Sequence, residues 1–308
     1  MSNTNDNICG IIPVNKPQGW TSFDVVVKLR GILHIKKIGH SGTLDPMATG
    51  VLPVFVGKAT RACDIIPIDS KSYLAGFKIG VCTDTQDITG NVLKTCDNLP
   101  SLEEIKENAS DFLGDIMQLP PMYSAVKVDG KKLYQLARQG KTVERTPKPR
   151  RVEKITVREY NNATGEGVLY AEVSKGTYVR TLINDIGEKL GCGGCMTSLE
   201  RLSAAGFVKA QCYTLQQIQT IVDESKLSQI IIPVSSVFTA FYDELTLGER
   251  AAAMYKNGVK LHGKQAGIKN AALANGVTFI VCDSEDNFLG LARYSAETDE
   301  LLSVRNFY

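Results

Sequence analysis

The residues best placed to do chemistry in this chain stand in one run, Gly39-His40-Ser41-Gly42-Thr43-Leu44-Asp45-Pro46-Met47-Ala48-Thr49-Gly50. A single carboxylate, Asp45, lies in its middle, and Pro46 fixes the backbone directly after it. Three glycines and several small residues specify a tight loop. A carboxylate held in this way can act as a nucleophile or as a general base. The same spacing also suits a surface turn with a capping Asp, and both readings stay open on spacing alone.

Other groups of chemically active residue types lack the partners they would need. Cys192-Gly193-Gly194-Cys195 has CxxC spacing, but no second CxxC or paired histidine completes a four-ligand zinc site. The pair follows an apparent helix end at Leu190-Gly191, whereas a redox pair is expected at a helix N-terminus. Asp84-Thr85-Gln86-Asp87-Ile88-Thr89-Gly90 is rich in oxygen ligands, yet it lacks calcium-loop spacing and reads as a hairpin turn. Gly57-Lys58 is not a phosphate loop, because Leu52 stands where the first glycine would be. No metal site and no cofactor is therefore expected.

The net charge of +2 announces no polyanion partner, but its distribution does. Between Ser124 and Arg158 stand eleven Lys and Arg, against Asp129, Glu144 and Glu153, an excess of +8 beside Tyr123 and Tyr134. That pattern fits a nucleic-acid backbone better than a merely solvated loop. The 43% hydrophobic content supplies a real core. Met1 to Asn7 is polar and expected to fray. No apolar run approaches the ~18 residues of a membrane span, and no secretory signal opens the chain, so a cytoplasmic protein is expected. The eight cysteines then read as reduced thiols.

Regular elements must position the loop. Ile11–Val14 reads as a strand, and Thr21 or Ser22 caps a helix to about His34 with Phe23, Val26, Val27, Leu29, Ile32 and Leu33 on its apolar face. The helix leads into the Asp45 loop, and the strand Val51–Val56 follows. A short helix is expected over Ala59–Ile66, and a strand over Tyr73–Ile79. Ser101-Leu102-Glu103-Glu104 is a capping box for a helix to about Phe112. Lys131–Gln139 reads as a helix stopped by Gly140. Arg151–Tyr160 and Val168–Ser174 read as paired strands, and Tyr178–Leu190 and Leu215–Ser225 as helices. Near residue 240 a second unit starts, with a helix Leu247–Asn257 and strands Val277–Asp283, Phe288–Tyr294 and Leu301–Phe307. Strands and helices mix without a βαβ repeat, which favours α+β with a largely antiparallel sheet.

Several blocks, in order, resemble the TruB family of tRNA pseudouridine synthases. The Asp45 run is similar to the family signature. Pro13-Val14-Asn15-Lys16-Pro17-Gln18-Gly19-Trp20-Thr21-Ser22 is similar to its N-terminal motif, and Lys71-Ser72-Tyr73 to the segment with its active-site tyrosine. Pro120–Lys127 with Tyr134–Arg138 resembles its next block, and Ser174–Leu182 the block with its active-site arginine. The resemblance implies isomerisation of uridine 55 in the T loop of tRNA, with Asp45, Tyr73 and Arg180 as catalytic residues. It implies substrate contacts from His40, Leu199 and Tyr178, with Lys127, Lys148, Arg150 and Arg151 on the RNA, and Lys16 and Pro17 supporting the loop. It implies a stand-alone bacterial form, with no obligatory protein partner, expected as a monomer. The implied fold is a central mixed sheet across residues 1–240, with a basic RNA-gripping insertion at about 123–151. A PUA-like β-barrel is expected over 241–308. The rival reading is a non-catalytic tRNA-binding or folding protein. Such a protein has no need of Asp45, Tyr73 and Arg180 together.

Overall fold

An apolar strand, β1 (Gly10–Lys16), opens the fold and is buried along nearly all of its length. Thr21 then starts helix α1 (Ser22–Leu33). Its hydroxyl accepts from the Asp24 amide while the Asp24 carboxylate accepts from the Thr21 amide, closing a capping box. The buried face is Ser22, Val25, Val26, Leu29, Ile32 and Leu33. Phe23 and Val27, expected on that face, are instead 60% and 48% exposed. They share a side of the helix with Arg30, whose guanidinium lies 5.8 Å from the Phe23 ring centroid. The helix does not run into the Asp45 loop. A short strand, β2 (Ile38–His40), intervenes and pairs antiparallel with β3 (Thr49–Val56), so the loop is the connection of a hairpin.

This computed structural model describes residues 8–128, 130–269 and 275–308. Met1–Asn7 and Asp129, both used in the sequence reading, lie outside the described residues. The expected helix at 59–66 is a 3-10 turn over Gly57–Ala62. Then come β4 (Lys71–Ile79), a small hairpin of β5 (Val81–Thr83) and β6 (Val92–Thr95), and α2 (Leu102–Ser110), which starts at the Ser101–Glu104 capping box. β7 (Gly114–Gln118) precedes the basic insertion. There β8 (Lys127–Val128) and β9 (Lys131–Lys132) pair, and α3 (Leu133–Ala137) is shorter than expected because Lys131 and Lys132 are spent on that pairing. The chain returns through β10 (Lys148–Asn161), β11 (Glu166–Val173), α4 (Val179–Lys189), β12 (Gly194–Ala204), β13 (Phe207–Val208) and α5 (Leu215–Asp223).

The main sheet runs β1-β3-β12-β4-β11-β10-β7, with β2 on β3 and β13 on β12. Every pairing is antiparallel except β12 with β3. The sequence reading missed β12, an interior strand between β3 and β4. Its alternation is broken by register shifts after Met196 and Arg201, and one of its inward positions is an arginine. Cys195 lies on β12 with Cys192 just before it. Both thiols are buried, and burial pushes Cys195 up to about 11.

The second unit comprises β14 (Asp243–Thr246), α6 (Glu249–Lys256), β15 (Leu261–His262), β16 (Thr278–Cys282), β17 (Phe288–Ser295) and β18 (Glu300–Asn306). Its strands follow the order β14-β16-β17-β18-β15, with β14 and β16 parallel. Ile280, Cys282, Leu291 and Phe307 pack in one apolar cluster with Ile11, Phe55, Ala59 and Ala62 of the first unit. Arg305 adds an ion pair to Asp64 at 3.1 Å. Among the described residues no helix is long and apolar enough to cross a membrane.

Candidate active site

The loop between β2 and β3 is fastened from several directions. Leu44 is buried, and the Ser22 hydroxyl accepts from its amide at 2.8 Å and donates to its carbonyl at 3.2 Å. Lys16 is wholly buried, and its ammonium donates to the carbonyls of Trp20 (2.5 Å), Pro17 (2.9 Å) and Pro46 (3.4 Å). Burial brings that ammonium down to about 8, against the pull of Asp45. Arg201, also buried, donates from Nε to Val51 O (2.6 Å) and from Nη2 to Gly42 O (2.9 Å). Gly50 has φ +96°, and a Cβ there would stand 2.2 Å from Arg201 O, so the pairing of β3 with β12 at this point requires glycine. Asp45 emerges from the loop with its side chain 39% exposed.

Lys16→Met tests the first of these anchors. It leaves the part-buried carbonyls of Pro17 and Trp20 without their Lys16 donor, at about 1–3 kcal/mol each, while Pro46 O keeps the Gly19 amide at 2.8 Å, and the loss is partly offset because a buried charge is also removed. The expected net loss of stability is about 2–4 kcal/mol in urea denaturation. An unchanged midpoint would mean that the loop holds without Lys16.

Arg180 enters from the first turn of α4, only 6% exposed. Its Nη2 lies 3.4 Å from Asp45 Oδ2 and donates to Tyr123 O at 2.6 Å. Its Nη1 lies 3.3 Å from Asp87 Oδ2. The start of α4 is fixed by Gln118, whose amide group exchanges two hydrogen bonds with the Tyr178 backbone. The Tyr178 ring centroid lies 6.0 Å from the Arg180 guanidinium. Asp87 is 5% exposed, and its Oδ1 accepts from Thr85 Oγ1 (2.9 Å), Thr89 N (3.0 Å) and Thr89 Oγ1 (2.5 Å). One buried guanidinium therefore joins two carboxylates, one of them open to solvent.

Sequence reasoning passed over Asp87. It sits on the β5–β6 connection, as a hairpin turn should, but its carboxylate turns inward. The available signal was its flanking by Thr85 and Thr89, two residues on either side, a pattern that ties a carboxylate to its own turn.

Tyr73 on β4 and Leu199 on β12 share a buried apolar cluster with Leu44, Ala48, Val173 and Val179, and Met47 packs against it. The aromatic and apolar candidates thus belong to the same cluster as the loop residues on both sides of Asp45. His40 ends β2, half-buried, with Nδ1 buried and without a partner among the described residues. Burial first, and then Arg201, hold its imidazole below the usual histidine range, in the neutral form at neutral pH. Pro17 follows Lys16 into the turn before α1 and gives its carbonyl to the Lys16 ammonium. A cavity of about 600 Å³ is lined by Lys16, Pro17, Trp20, Thr49 and Gln216, but Asp45 is not in its wall.

The basic candidates differ in availability. Lys127 and Lys148 are exposed and have no carboxylate partner among the described residues. Arg150 lies against Gly176, where φ is +83° and a Cβ would stand 3.0 Å from its Nη2. Arg151 is committed elsewhere, paired with Glu153 at 2.8 Å and Asp115 at 3.1 Å. Lys132 and Arg138 flank the Tyr134 ring at 5.7 and 5.5 Å.

Comparison with known proteins gives a consistent answer. Residues 30–179 match the family described as TruB family pseudouridylate synthase (N terminal domain). Residues 180–239 match the tRNA pseudouridylate synthase B C-terminal domain. The chain is 40% identical over 292 residues to tRNA pseudouridine synthase B of Clostridioides difficile, covering 94% of this chain and 96% of that protein. It is 41% identical over 296 residues to the protein of that name in Clostridium tetani, covering 96% and 99%. In fold it is similar to a chain in the crystal structure of a Cbf5-Nop10-Gar1 complex, with a TM-score of 0.71, 24% identity, and coverage of 97% of this chain and 85% of that one.

Proposed function

The chain belongs to the TruB family of pseudouridylate synthases, and we propose that it converts uridine 55 in the T loop of tRNA to pseudouridine. The observation that carries this reading is the solvent-facing Asp45 carboxylate, ion-paired at 3.4 Å to the buried Arg180. The reaction breaks the C1′–N1 bond, turns the base and forms C1′–C5. It is redox-neutral and has no group donor. The sugar carbon becomes electron-poor as the base leaves, and Asp45 acts there as nucleophile or removes a sugar proton. Tyr73 offers its ring to the extruded base, with Leu199 as apolar wall. Neutral His40 stands at the loop edge, suited to take the place the uridine vacates.

In this reading residues 1–240 form the catalytic unit, and 241–308 a PUA-like second handhold on tRNA. The enzyme works alone in the cytoplasm as a monomer. The test is tritium release from C5-tritiated tRNA transcript with purified protein and nothing else. One tritium per transcript is expected, and none from a transcript carrying cytidine at position 55 if only uridine is labelled. Binding without release would leave a tRNA-binding protein.

The insertion should contact mainly phosphates. Replacing Lys127, Lys148 and Arg150 together by Gln should flatten the slope of log K against log salt by about 2–3, at roughly 0.7–0.9 per lost contact. Arg151→Gln should change it less, since Asp115 and Glu153 already offset that charge. An unchanged slope in the triple variant would place the RNA elsewhere.

A further inference from the structure

Two cations close on one point beside the Asp45 loop, and a third acts on one of them. Gly42, three residues before Asp45, has φ +73°. A Cβ built there would stand 3.3 Å from Arg201 Nη1, 3.3 Å from Lys71 Cε and 3.4 Å from Lys71 Nζ. Two positive side chains, one from β4 and one from β12, thus close on a single point at the loop. Arg201 uses Nε and Nη2 on the loop carbonyls, and among the described residues its Nη1 and the Lys71 ammonium have no hydrogen-bond partner. Lys175, in the turn before α4, adds a third charge that acts on Lys71, opposed by Asp69. Burial first, then Arg201 and Lys175, bring the half-buried Lys71 down to about 8. Like charges collected in this way cost free energy that a bound anion would relieve.

We propose that Lys71 and Arg201 Nη1 hold one phosphate of the RNA backbone next to the extruded uridine. The inference rests on the proposed function and adds a subsite to it. A phosphodiester has two free oxygens, able to accept from Lys71 Nζ and Arg201 Nη1 together. Gly42 keeps that space open, since any side chain there would occupy it. The phosphate would be fixed on the loop that carries Asp45, so its binding free energy orients the sugar carbon toward the carboxylate.

The experiment is a double-substitution cycle on affinity, using the full chain and a synthetic unmodified T-arm stem-loop. Single neutral methylphosphonate linkages are placed in turn at the phosphates on either side of the target uridine. With wild-type protein, one placement should weaken binding about tenfold, and Lys71→Gln with all-phosphate RNA should do the same, flattening the salt slope by about one. Combined, the two should weaken binding little further, because both remove the same contact. Lys71→Arg should keep most of the affinity. Strictly additive losses, or no placement that matters, would overturn the subsite. The cycle reads binding alone. A wild type that gives the cycle but releases no tritium would sink the pseudouridine reading, and an active wild type with an additive cycle would sink only the subsite. A Lys71→Gln protein with a lowered melting temperature, an unchanged salt slope and no rescue by Arg would show a structural lysine and overturn it as well.

Discussion

Asp45→Asn is expected to lower pseudouridine formation by about 10⁴-fold or more, to background, while tRNA affinity stays within about threefold. The substitution keeps the shape of the side chain and removes its charge. Asp45 is 39% exposed, and the fixed points of its loop lie elsewhere, at Leu44, Pro46, Gly42 and Val51. Its own carbonyl still accepts from the Ala48 amide at 3.0 Å. Arg180 keeps Asp87 as an ionic partner, so no buried charge is stranded. Folding should therefore survive, and the loss should fall on chemistry, which an amide can serve neither as nucleophile nor as base. The measurement is single-turnover tritium release at saturating enzyme, with circular dichroism and filter binding alongside. Turnover within a hundredfold of wild type would place the essential carboxylate elsewhere.

Local signals carried much of the fold. Ser101 with Glu104 is read directly from sequence because the cap is closed within four residues, and the α1 cap, left between Thr21 and Ser22, falls on Thr21 with Asp24. The pairing of β10 with β11 was legible because two β-rich runs flank one short connection. What stayed hidden was non-local. Arg180 and Asp87 are 93 residues apart in the chain, and nothing near either says that they meet. Arg201 drew no attention in the sequence because β12 itself was missed, yet it is buried and ties down the loop from the neighbouring strand. Lys71 stands in the same block as Tyr73, but its position over Gly42 depends on β4 lying beside β12. The residue types at the site were visible from sequence, while the charges that steady them required the sheet.

Arg180→Ala should damage both stability and turnover, for two separable reasons. The guanidinium joins Asp45 to Asp87, and Asp87 is only 5% exposed. Removing it strands a buried carboxylate, at about 3–5 kcal/mol of stability. It also frees Asp45 from its orienting partner, for which a loss of about 10²–10³ in saturated turnover is expected. Arg180→Lys should recover part of the stability and little of the rate, since one ammonium cannot reproduce the two ends of the fork. Arg180→Ala combined with Asp87→Asn distinguishes the two effects. The amide that replaces the Asp87 carboxylate retains an oxygen able to accept from Thr85 and Thr89 but carries no charge to strand, so urea stability should rise above that of Arg180→Ala alone. Turnover should stay low, because Asp45 still lacks its partner. If activity returned with stability in the double variant, Arg180 would be a structural counter-ion for Asp87, and its pairing with Asp45 would play no part in the reaction.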